Sequence, residues 1–243
     1  MSTALLSRQR IRGLPAQCAI AGTCVVLWVS VVLLPGQQAW CVAVTLVTIA
    51  LWAEVRLHKV FRRTLVVRRA LKFVPYAVPG VCFGIDLRPG AVAIGIAVTA
   101  SVGYLVATRR RIQTVLDPRI LALMPRADAA ERWSETLFYA GSAVAQEYLH
   151  RFVLVVFLSG AGVPGPLIVV ATTATFVLEH FIGPNGHTAR SRANIALWGG
   201  MGIVFGAVAV LFPPALSAVM LGHLLVNAPA AIRPHLRGRR ADP

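Results

Sequence analysis

The chain is cut into apolar stretches that run close to the length of a bilayer crossing, and the breaks between them are short. Leu34-Pro35-Gly36, Arg88-Pro89-Gly90, Gly162 to Pro166 and Phe212-Pro213-Pro214 are tight connections that join antiparallel neighbours. A stretch of about 20 apolar residues satisfies its backbone inside lipid only as a helix or as part of a closed barrel. The composition removes the soluble option: 57% of the 243 residues are hydrophobic and 14% are charged, with a mean hydropathy of +0.70, where a soluble domain carries about 25% charged residues. The expectation is an all-α, polytopic transmembrane helical bundle of about eight spans, drawn at 16–34, 39–53, 73–87, 90–107, 134–158, 166–183, 194–211 and 214–232. The third is the weakest, because Pro75, Pro79, Gly80 and Gly84 interrupt it and favour a short, kinked or re-entrant helix. No internal repeat, low-complexity tract or long linker divides the sequence. It reads as a single membrane domain: N-terminal spans with basic loops over 1–132, a core over 133–232 and a basic tail over 233–243.

Basic residues test that topology independently, since Lys and Arg collect in cytoplasmic loops near span ends. Alternate loops hold 22 of the 24. Arg8, Arg10 and Arg12 precede the first span, and residues 54–72 and 108–132 carry dense Arg and Lys clusters. Arg190 and Arg192 precede the seventh span, and Arg233, Arg237, Arg239 and Arg240 follow the eighth. Both termini are thereby expected in the cytoplasm. The exceptions are Arg151, which lies within a span, and Arg88, expected to pair with nearby Asp86 in an outer loop. A net charge of +15 would suit a polyanion. These clusters are short and flank apolar spans, so anionic lipid headgroups are the expected partner and nucleic acid is not. Residues 56–72 are expected to lie along the membrane surface as a basic amphipathic helix.

Cys18, Cys24, Cys41 and Cys82 fall within spans and show neither disulfide nor zinc spacing. The first apolar stretch follows an Arg-containing head but ends without a small-x-small cleavage site, so it is expected to be retained. Arg outnumbers Lys by 22 to 2, a bias of GC-rich bacterial genomes, which makes a bacterial inner membrane the expected location.

Ionisable groups inside such spans cost several kcal/mol unless they are paired or employed, and here they cluster in the second half. Helical residues four apart share a face. Glu147 and Arg151, Phe176 and His180, and His223 and Asn227 are so spaced, on the fifth, sixth and eighth spans. If those helices pack together, a carboxylate, a guanidinium, two imidazoles and an amide converge, a collection suited to activating water. Arg151 can hold Glu147 ionised, and His can orient water or relay a proton. An Asn beside a second His can stabilise an oxyanion, a contribution of about 3 kcal/mol for one good donor.

Gln146-Glu147-Tyr148-Leu149-His150-Arg151, then Phe176-Val177-Leu178-Glu179-His180, then His223-Leu224-Leu225-Val226-Asn227 resembles the EExxxR, FxxxH and HxxxN series of the CAAX protease and bacteriocin-processing family of intramembrane proteases, also called type II CAAX endopeptidases or the Abi family. The resemblance covers roughly residues 130–232. It implies a membrane bundle with a catalytic cavity open to the cytoplasm that cleaves membrane-associated proteins or peptides. By the same resemblance, the first Glu of the motif and His180 position the attacking water, and His223 with Asn227 supports the oxyanion. The chain departs from the motif at Gln146, whose neutral amide cannot act as a general base, so Glu147 or Glu179 is expected to supply the carboxylate. Glu179, next to His180 in sequence, should point to a different side of its helix.

Other readings stay open. Glu147 with Arg151 can be a structural ion pair, His180 an interfacial residue, and His223 and Asn227 interhelical glue. A catalytically silent relative would bind membrane peptides or act as an immunity or scaffold protein, and Gln146 favours that. A transporter is disfavoured by the absence of an inverted repeat. His150, one position off the Glu147 and Arg151 face, and His187, in the loop before the seventh span, are expected to be solvated or at the lipid interface. Two His and a carboxylate match a catalytic zinc set, yet HExxH is missing; the cofactor is left open, with none favoured.

Overall fold

The computed structural model describes residues 3–34, 36–54, 69, 72–88, 90–182 and 191–237. The loop carrying His187 and most of the basic segment 56–72 lie outside the described residues. Among those described, every regular element is helical and none is a strand. They gather into two compact units, Met1–Gly84 and Ile85–Pro243.

In the first unit, α1 (Thr3–Leu33) and α2 (Gln38–Glu54) form a hairpin closed at Gly36, whose φ of 88° is natural for a residue without Cβ. The interrupted 73–87 segment forms two single turns, α3 (Val74–Ala77) and α4 (Gly80–Phe83), in place of one continuous helix. Pro75 and Pro79 each sit at the start of a turn, where a missing N–H costs nothing. Val78 packs there with Val31, Cys41 and Val44. Cys18, Cys24, Cys41 and Cys82 are all free thiols.

The second unit begins with an exposed loop in which Arg88 Nη2 meets Asp86 Oδ2 at 2.6 Å, as the sequence anticipates. The guanidinium holds the Asp86 carboxyl below the usual carboxylate range. Then come α5 (Ala91–Ala107), α6 (Arg109–Val115) and α7 (Pro118–Leu123). Asp117 caps α7 through the Arg119 N–H, with Pro118 at the first helical position. The next helix, α8 (Ala129–Glu147), starts five residues before the drawn boundary, because Asp128 caps it by accepting from Glu131 N at 2.7 Å. It runs on through a π-helical turn, Tyr148–Val153, into α9 (Leu154–Gly160). Gly162, at φ 76°, turns the chain into α10 (Gly165–Ile182). Helices α11 (Arg192–Leu211) and α12 (Leu216–Leu236) complete the unit.

Small residues let these helices approach closely. A Cβ on Gly222 of α12 would stand 2.8 Å from Phe205 Cζ and 2.9 Å from Ser101 Oγ, and the Ser101 hydroxyl, 2.7 Å from Ala97 O of its own helix, shares its proton across the α5–α12 crossing with the Gly222 carbonyl at 2.9 Å. Gly202 and Gly206 do the same for α11 against Thr173 and Thr172 of α10. The α8–α12 contact is stitched by polar groups: Thr136 donates to Ala231 O, His235 bonds Thr136 Oγ1 at 2.8 Å, and Arg237 reaches Glu131 and Glu135.

Among the described residues, two helices, Arg192–Leu211 and Leu216–Leu236, are long and apolar enough to cross a membrane, and a third crossing results if Ala91–Ala107 and Arg109–Leu123, bent by 69°, count together. Large apolar side chains face outward, among them Leu137, Val170, Leu178 and Leu211, which fits a lipid-facing surface.

Candidate functional site

The π-helical turn decides what the fifth drawn span presents. Tyr148, Leu149, His150, Arg151 and Val153 are all buried and Phe152 is partly so, so burial in this segment is not confined to one face. The i→i+5 closure advances each residue less than an α-helix does. Glu147 is directed to α12, whereas Gln146 and His150 are directed to α10.

Glu147 is 0% exposed. Its Oε1 lies 2.7 Å from His223 Nδ1, and a carboxylate only accepts, so the Nδ1 proton is donated to it. Its Oε2 lies 3.7 Å from Arg151 Nε, close enough for charge attraction and too far for a hydrogen bond. Glu147 Oε2, Arg151 Nε and Arg151 Nη2 are therefore buried without hydrogen-bond partners. Arg151 is anchored by its Nη1, which donates to Thr172 O at 3.1 Å, and by the Phe176 ring, 5.1 Å from its Cζ.

Phe176 is the hub of the cluster. The rings of His180, His150 and His223 stand 4.6, 5.8 and 5.9 Å from its centroid. His180 Nδ1 bonds Phe176 O at 2.8 Å, which places the proton on Nδ1 and leaves Nε2 as an acceptor. The other side of the His180 ring leans on Trp198 at 4.6 Å. Asn227, one turn along α12 from His223, donates to Tyr139 O at 3.1 Å.

A second carboxylate and imidazole meet nearby. Glu179 Oε1 accepts from Gln146 Nε2 at 2.7 Å, and Oε2 lies 2.7 Å from His150 Nε2. His150 is 1% exposed, which corrects the expectation of a solvated or lipid-facing histidine. It is not required to share the Glu147 face, because it serves a different neighbour. Its Nδ1 faces Thr175 Oγ1 at 3.0 Å, and that hydroxyl also reaches the carbonyls of Ala171 and Thr172 at 3.1 Å each. When the hydroxyl donates to backbone, His150 donates from both nitrogens and forms an ion pair with Glu179. Sequence spacing alone missed His150 and Thr175. The one available signal was a buried-type run, Tyr148 to Val153, with a titratable group in its middle.

Thus Arg151, His180 and His223 are brought around the Phe176 ring with Glu147 joined through His223, Gln146 and Glu179 engage His150 beside it, and Asn227 is turned to the Tyr139 carbonyl. Among the described residues, no three His, Cys, Asp or Glu side chains are grouped as a metal site. No family model, curated protein or solved structure matches the chain.

Proposed function

We propose that this chain is an intramembrane endopeptidase of the kind its motifs resemble, an eight-span protein with cytoplasmic termini that hydrolyses membrane-associated proteins or peptides. The shorter apolar helices Cys18–Leu33, Gln38–Leu51, Val74–Phe83 and Gly165–His180 support the larger span count, as short or partial crossings around which the bilayer thins. The observation that carries the peptidase reading is the buried Glu147–His223 hydrogen bond of 2.7 Å beside Arg151. A buried ionisable trio is expensive. Its arrangement around Phe176 with His180 suits acyl transfer to water.

Roles follow from the hydrogen bonds. His180, neutral and held by the Phe176 carbonyl, offers Nε2 to take a proton from water as the oxygen attacks the peptide carbon. The negative charge of Glu147 compensates an imidazolium at His223, whose Nε2–H can then donate to the oxyanion. Collapse of the tetrahedral intermediate breaks the C–N bond, and the proton on His180 passes to the leaving amine. Asn227 lies one turn from His223, where a further amide donor would serve the same oxyanion, and Glu147 Oε2 is the alternative acceptor for the water proton.

The test is a comparison of new protein termini in membranes of host cells carrying the natural chain, His180→Ala or His223→Ala. Cleavages that vanish in both variants at equal protein level are expected. Unchanged termini would overturn the reading in favour of a catalytically silent peptide-binding protein, which one observation favours: the position of the motif's first carboxylate is held by Gln146, whose amide is engaged with Glu179.

A further inference from the structure

The Glu179 cluster sits outside the roles just assigned, yet it is built with more hydrogen bonds than the catalytic pair. Both carboxylate oxygens of Glu179 are taken, one by an amide from α8 and one by an imidazole from the π-helical turn. The Glu179 side chain is 15% exposed and that of His150 is 2% exposed, so the charge lies in an environment where it needs those donors. His150 in turn stands edge-on to Phe176 with rings at 86°, and Phe176 carries Arg151 on its face and two further histidines at its margin.

We infer that Gln146, Glu179 and His150 form a positioning unit that fixes Phe176 and, through it, His180, His223 and Arg151. This inference rests on the peptidase reading and adds residues to it. Glutamine at 146 is then a requirement of the unit and not a defect. A carboxylate there would put two acidic oxygens where an amide nitrogen and an oxygen now meet at 2.7 Å, and like charges at that distance cannot both be ionised. One of them would take a proton, and the hold on His150 would weaken. The pairing is also reciprocal. Exchanging the two residues keeps one carboxylate and one amide at the same α8–α10 contact.

The experiment uses the full chain with Gln146→Glu, with Glu179→Gln and with both, each with two readouts. The first is the ring nitrogen signal of His150 in nitrogen-15 histidine-labelled protein, assigned by its loss in His150→Gln. The second is the yield of His223-dependent termini. Each single variant is expected to move the His150 signal and lower cleavage about 10- to 100-fold, the scale of a small misplacement of reacting groups. The double variant is expected to return both to within about threefold of the natural chain, by the same criterion. Wild-type cleavage with an unmoved His150 signal in Gln146→Glu overturns the inference, as does a double variant no better than the poorer single one. If the natural chain yields no His223-dependent termini, the peptidase reading fails on its own. The His150 signal must then still move in the single variants and return in the double one for the unit to stand. Should a single variant not accumulate, the double variant decides: a wild-type His150 signal supports reciprocity, and a displaced signal in well-accumulated protein overturns it.

Discussion

Two carboxylate–imidazole pairs lie within one helical unit, and they are finished differently. Glu179 gives one oxygen to the Gln146 amide and the other to His150, so none of its acceptor oxygens is left without a donor. Glu147 gives one oxygen to His223 and keeps the other without a donor, facing Arg151 at 3.7 Å. The first arrangement holds a charge still. The second balances charge by proximity while leaving a lone pair available for chemistry, which is how a buried group can be both tolerated and reactive. On the proposed reading, the same residue types divide into a fixed support and a working pair according to how many hydrogen bonds each completes.

The largest break in that comparison is expected from Glu147→Gln. The neutral isostere leaves Arg151 as a buried charge without its counter-ion, a loss of about 3–5 kcal/mol, and removes the compensation of an imidazolium at His223. Cleavage is expected to fall by about 10²-fold or more, and the midpoint of thermal inactivation in detergent to drop sharply. A variant with full cleavage would end the assignment of the working pair. Gly222→Ala should act on one pair alone. The added methyl meets Phe205 and Ser101 at 2.8 and 2.9 Å, an overpacking cost of about 1–3 kcal/mol, and shifts α12 with His223. The expected outcome is lower cleavage with an unaltered His150 nitrogen signal, and a displaced His150 signal would show that movement of α12 passes back through Phe176 to the support as well. Thr175→Val is the mildest. It removes the hydroxyl 3.0 Å from His150 Nδ1 at about 1 kcal/mol, and should lower cleavage a few-fold, read against protein level in the same membranes. A loss as large as that of Glu147→Gln would erase the ranking of the two pairs.

Much of the helical plan was legible because apolar runs and breakers are local. Ala91–Ala107, Gly165–Ile182 and Arg192–Leu211 begin and end within two residues of the drawn spans, and the Asp86–Arg88 pair follows from proximity. The shortfall at α8 came from reading hydrophobicity as the start signal, when the Asp128 cap begins the helix in a polar stretch. The spacing of Glu147 with Arg151, and the position of His223 on another helix, pointed to a cluster in which the structure brings those three together, while Asn227 of the same expected set bonds Tyr139 O. The hydrogen bond between Glu147 and His223 links residues 76 apart in sequence, and nothing local encodes which of several polar side chains would meet. His150 was misplaced for a different reason: four-residue periodicity assumes one buried face, and in the Tyr148–Val153 segment every residue but Phe152 is buried.

That segment also separates two phases. Before it, the angular order of side chains is set from the Asp128 cap onward. After it, the order is set by Val155 seated against Ile168 and Ala209. An unbroken α-helix would impose one fixed rotation of about 100° per residue on both ends. The wide turn absorbs the difference, acting as a phase boundary, so the upstream stretch aims its carboxylate at one neighbour while the downstream stretch keeps its own seat.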